Sequence, residues 1–164
     1  MKKLLFVASA LAALSLLAPS SGFAQHDYDN QLGVYFDTDG MTYNQVIAPS
    51  TPFPAYLVLT QPVANDGSLV TGVDAFEAMI TFSNGASVFK LGEILPPGTI
   101  NIGDATSPAT GLEYIAGIPV ALPVVNEAVV LCEWNFMVLV GAQIDMYVEN
   151  SSAGNLYYQN RIDS

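Results

Sequence analysis

The residues Asp37-Thr38-Asp39-Gly40, arriving at the end of the run Gly33-Val34-Tyr35-Phe36, are the first candidates for chemistry in the chain. The same order presents the nucleophile of a haloacid-dehalogenase-type phosphatase, and it is also a fragment of a calcium loop. A phosphatase of that type needs a cation to hold the phosphoryl group, further acids for magnesium, and a parallel sheet with helical crossovers. Downstream of this stretch the only cations are Lys90 and Arg161, and no paired acidic motif follows. An EF-hand fits no better. With Gly40 at the sixth position, Tyr35 and Val46 fall at the first and twelfth, where acids belong. Two expectations remain for this stretch. Either Asp37 and Asp39 hold a structural calcium ion with an acid from another loop, such as Asp66 or Asp104, or Asp39-Gly40 is a tight turn that Asp37 caps through backbone amides. No other cofactor is expected.

Other catalytic constellations are poorly supplied. His26 is the only histidine, and no Gly-x-Ser-x-Gly elbow occurs, so neither a nucleophile with its base nor an ordinary zinc site can be assembled. Glu77 and Glu133 are candidates for a glycosidase pair, but both sit on the polar side of regular alternating runs, where solvated charges normally go. Cys132 is the only cysteine, which excludes an intrachain disulfide. It alternates with Val130, Trp134, Phe136 and Val138, so it is expected on a core face as a small inert hydrophobe. These readings predict a protein that is not an enzyme.

Tyrosines offer a different chemistry. The alternation of their strands points Tyr35, Tyr56 and Tyr147 away from the core, and Tyr157 and Tyr158 follow near the end. Brought together, the first three would form a flat platform that stacks on sugar rings. Dispersed, they would serve only as cross-strand pairs.

The elements that must position these residues read almost entirely as strands. Lys2 and Lys3, the apolar run Leu4 to Leu17, and the small residues around Gly22-Phe23-Ala24 make residues 1–24 a secretory signal, too short to span a bilayer. The mature chain is expected to be secreted, periplasmic or at the cell surface, with no stable membrane insertion. A polar lead at residues 25–31 and one domain at residues 32–162 follow. Beyond the signal, Lys90 and Arg161 face fifteen acids, a net charge of −13. Such a surface repels nucleic-acid backbones and acidic lipid. Hydrophobic residues make up 51% of the chain, so acidity does not imply disorder.

Period-two alternation recurs at residues 32–38, 55–61, 75–82, 87–95, 98–102, 112–118, 128–139 and 143–149, with a final edge strand expected near residues 155–164. Turn chemistry separates the runs: Asp39-Gly40, Asn65-Asp66-Gly67, Asn84-Gly85, Pro96-Pro97-Gly98 and Gly141. Seven to nine half-buried strands predict an all-β, two-layer antiparallel β-sandwich, with a jelly-roll variant as the alternative.

From residue 55 to residue 150 the chain resembles the cohesin-like branch of immunoglobulin-type sandwiches. Gly72, Phe76, Ile80 and Phe82 match that family's glycine-led core strand, and Leu131, Trp134, Phe136 and Val138 loosely match its late core strand. The chain also looks like small exported bacterial proteins that begin with a "GVYFD" strand. The resemblance implies a non-catalytic module for binding or assembly. The partner expected is a protein, or alternatively a surface polysaccharide held by the tyrosines.

Overall fold

The computed structural model describes residues 29–153 and 157–161. The expected secretory signal, His26 and most of the expected polar lead lie outside the described residues. Nine strands run through the rest: β1 (Gln31–Tyr35), β2 (Pro52–Thr60), β3 (Gly72–Phe82), β4 (Val88–Ile94), β5 (Ile100–Asn101), β6 (Leu112–Pro123), β7 (Ala128–Val138), β8 (Met146–Glu149) and β9 (Tyr157–Arg161). Each of the nine runs read from the sequence falls on one of them. Apart from a single 3₁₀ turn at Gly85–Ser87, helix is missing among the described residues, and none is long and apolar enough to cross a membrane.

The strands form two antiparallel sheets, β1-β2-β7-β4 and β5-β6-β3-β8, with β9 also pairing β3. Strand β8 lies along Met79–Phe82 of β3 and β9 along Gly72–Glu77, so the two short strands share one edge. The chain changes sheet at β2–β3, β3–β4, β4–β5, β6–β7 and β7–β8. This interleaving closes a two-layer antiparallel sandwich around one core.

Alternation explains which side chains fill that core. Phe53, Ala55, Leu57 and Leu59 of β2 face Phe76, Ala78 and Ile80 of β3, and all are buried. Aromatic rings run continuously through the middle: Phe76 packs on Tyr114, Tyr114 on Trp134, Trp134 on Phe136, Phe136 on Phe53, and Phe53 on Phe36, with centroids 5.6–6.1 Å apart. Each large apolar side chain taken out of water contributes roughly 1.5–3 kcal/mol. Pro52 and Pro54 lie in the half of β2 that β1 does not cover, where a missing amide N–H costs the ladder little.

One face assignment is corrected by a bulge. The register of β2 with β7 shifts between Leu57 and Val58, so Leu57 opposes Cys132 while Val58 opposes Val130. The extra residue, Leu131, resets the alternation. Val129 therefore joins the core, and Val130, expected there, turns to the outer face and is only partly buried.

Candidate functional site

The DTDG segment is built as a turn. Phe36 N–H donates to the Thr42 carbonyl at 2.7 Å, closing the loop, and Gly40 sits buried at φ +69°, a conformation that favours glycine. Met41 N–H donates to Asp37 Oδ1 at 2.9 Å. Burial pushes the Asp37 carboxyl up, but the Thr42 hydroxyl and the amides of Met41, Thr42 and Gly40 outweigh it and hold the group below the ordinary carboxylate range. Asp37 is thus the cap of its own loop. Asp39 is exposed and lines a shallow pocket with Thr38, Val125, Asn126 and Val130.

The acids considered as partners for it are also occupied locally. Asp66 accepts from the amide and hydroxyl of Ser68, and Asp104 from those of Thr106. Both carboxyls are held down by these bonds. Among the described residues, no three His, Cys, Asp or Glu side chains are grouped to share a metal ion.

The structure divides the tyrosine trio. Tyr35 and Tyr56 are direct cross-strand partners on the outer face of the β1-β2-β7-β4 sheet, whereas Tyr147 lies on β8 in the other sheet, opposite Thr81. A three-ring platform is not formed. Tyr35 lies over Gly33, whose absent side chain makes room: a Cβ there would stand 2.7 Å from the ring. Its hydroxyl reaches Thr60, and burial raises its pKa. Val58 and Thr60 are consequently buried although they point outward. Tyr157 and Tyr158 fall on β9, whose side chains lie outside the described part.

Glu77 and Glu133 cannot act as a pair. Glu77 lies on the outer face of β3, and Glu133 on that of β7, in opposite layers of the sandwich. Glu77 instead accepts from the buried Ser151 hydroxyl at 3.2 Å.

A polar network that the sequence reading did not find crosses the core. Trp134 Nε1 donates to Tyr114 Oη at 2.6 Å, and Tyr114 Oη donates to Glu93 Oε2. Lys90 Nζ lies 2.8 Å from the same carboxylate and also donates to the Ala105 carbonyl. Lys90 and Glu93 both turn inward because the register of β4 shifts between Lys90 and Gly92, opposing Lys90 to Phe136 and Glu93 to Trp134. Inward charges on an edge strand discourage pairing with stray strands. The network ties β4 to β6, one strand from each layer. Burial, with the Glu93 charge beside it, pushes the Tyr114 hydroxyl far up, so it remains a donor. Cys132, buried against this hydroxyl, has its thiol pushed up by the same two causes, burial and the Glu93 charge, and has little thiolate character.

The two outer faces of the sandwich differ in their acids, although both expose apolar side chains, Ile100 and Ile102 among them on the β5-β6-β3-β8 side. On the β5-β6-β3-β8 side, Met79 is flanked by Glu113 and Glu149, with Glu77 two residues along β3. The loop after β8 lies over these acids, Ser152 N–H donating to Glu113 Oε1 at 2.6 Å. On the β1-β2-β7-β4 side, Phe89, Met137 and Pro52 form one row across three strands, and Ile94, Glu133, Tyr56 and Tyr35 form another. Tyr35 covers the β1 half of this face. The β4 half is open, with Phe89, Leu91 and Ile94 at 45, 49 and 64% exposure.

The fold and these surfaces define an antiparallel sandwich with exposed apolar side chains on both outer faces and a group of three acids on one of them. No family model matches the chain, and neither a curated protein nor a solved structure matches it.

Proposed function

We propose that the chain works outside the cytoplasm as a non-catalytic module that docks a protein partner through the open half of the β1-β2-β7-β4 sheet. The observation that carries this reading is the placement of Phe89, Leu91 and Ile94. Alternation puts Phe89 and Leu91 on the solvent side of an edge strand, and the register shift between Lys90 and Gly92 brings Ile94 to the same side, while the two charged residues of that strand face inward. A chain with fifteen acids has every means to cover this face with charge, yet Glu133 is the sole acid in the two rows described. Exposed apolar patches of this kind mark interaction surfaces.

The partner is a protein with a complementary apolar surface, since flat sheet faces bury well against other side chains and the acidic remainder repels nucleic acid and anionic lipid. The secretory signal expected at the N-terminus supports an encounter in the periplasm, at the cell surface or beyond it. The cohesin-like reading is supported by two strands: β3 begins at Gly72 and carries Phe76, Ile80 and Phe82 along the core, and β7 carries Leu131, Trp134, Phe136 and Val138.

The test is the double substitution Phe89→Ser with Leu91→Ser in residues 25–164. Capture of a partner from the exporting cell's envelope is expected to be lost while the unfolding midpoint holds. Undiminished capture by the folded double variant contradicts the proposal.

A further inference from the structure

A second surface goes beyond this reading, at the side of the sandwich where β1 and β8 run next to each other in different sheets. Between them lies a cleft of about 540 Å³, within the ~300–1,000 Å³ typical of small-ligand sites. Its floor is apolar: Val34 in β1 and Phe36 just after it, Met146 in β8 and Ile144 just before it, all packed against the core. Its rim is different in kind. Tyr43 and Tyr147 stand there at 72 and 50% exposure, together with Asn44, Gln45 and Gln143.

We propose that this cleft binds an uncharged oligosaccharide. A pyranose ring has a C–H face that stacks on tyrosine, and a belt of hydroxyls that both donate and accept. Amide side chains offer both roles from one planar group, which suits such hydroxyls better than a carboxylate or an ammonium does. Charge selects within the sugars. Asp145 is the only carboxylate at the cleft, its Oδ1 already accepts from Gln143 Nε2 at 2.9 Å, and no lysine or arginine lines the walls. With an acidic protein around it, a uronic-acid or phosphate-bearing polymer is repelled.

The walls are held in place before any ligand arrives. Asp145 N–H donates to Ser83 Oγ and Ser83 N–H donates to the Asp145 carbonyl, both at 2.9 Å, pinning the segment before β8 to the end of β3. Strand β1 begins at Gln31 and β9 ends at Arg161, both at the opposite end of the strands from Phe82 and Met146. Tyr56, on the outer face of the other sheet, takes no part in this site.

The experiment is titration of residues 25–164 by calorimetry and NMR with β-1,4-glucose, α-1,4-glucose and β-1,4-N-acetylglucosamine hexaoses, with oligogalacturonate as the acidic comparison. At least one neutral hexaose is expected to bind, and Tyr43→Ala and Tyr147→Ala are each expected to weaken it about tenfold or more. Tyr56→Ala is expected to leave it unchanged. Both cleft tyrosines are exposed, and an unaltered circular dichroism spectrum confirms that the variants fold. The inference is overturned by no neutral hexaose binding up to about 10 mM, by binding confined to oligogalacturonate, or by binding that survives both cleft substitutions.

Discussion

Tyr114 joins the two layers at a single side chain. Its ring packs on Phe76 and Trp134, while its hydroxyl accepts from the indole N–H and donates to Glu93. Tyr114→Phe keeps the packing and removes both hydrogen bonds, leaving a fully buried indole N–H without its partner. A loss of about 2 kcal/mol in urea unfolding is expected. Tyr114→Phe as stable as the parent chain would show that the network is not structural. Asp37 acts on a smaller scale. Its carboxyl is held below its ordinary value in the folded chain, so its contribution is present above the unfolded pKa of about 3.9 and is lost as pH falls through the lower folded value. Asp37→Asn is therefore expected to destabilise at neutral pH, by under about 1 kcal/mol because the group is largely solvated. The gap to the parent chain should close on acidification, and a gap that widens instead would contradict the capping role.

At the scale of elements, the strands and turns were legible because alternation and turn chemistry are local. Leu32, Val34 and Phe36, and likewise Phe76, Ala78, Ile80 and Phe82, face the core as their spacing predicts. Asp37 as a turn cap was legible for the same reason. What escaped the sequence depends on a neighbouring strand. The bulge at Leu131 belongs to the register between β2 and β7, and nothing in the run Ala128–Val138 alone says that Val129 rather than Val130 turns inward. The phase of β4 escaped too. Propensity alone would bury Phe89 and Leu91, whereas the shift near Leu91 sends Lys90 and Glu93 inside. The tyrosines show the same limit: β1 and β2 pair Tyr35 with Tyr56 as neighbours, but the sheet change before β8 removes Tyr147 to the other layer, beside Tyr43. The bulge carries its own prediction. Val129→Asp places a charge in the core and is expected to cost about 3 kcal/mol or more, while Val130→Asp on the outer face costs about 1 kcal/mol or less. The reverse order in thermal unfolding would refute the register.

For the molecule as a whole, the proposed function rests on the exposed apolar side chains of the edge strand β4. One outer face carries the exposed Glu149 with Glu77 and Glu113, the latter two bonded to the loop after β8; the other leaves Phe89, Leu91 and Ile94 open to solvent on an edge strand. The partly buried, inward-facing Lys90–Glu93 pair guards that edge against stray pairing without placing charge on its outer side. The same arrangement leaves the apolar side free for a specific partner. The central claim is the docking role of this face, and site-specific photo-crosslinking on the envelope of the exporting cells tests it most directly. A photoreactive residue placed at Phe89, Leu91 or Ile94 is expected to yield one adduct of common mass, with none from probes at Glu113 or Glu149. Adducts that form equally from both faces, or only from the acidic one, would contradict the account.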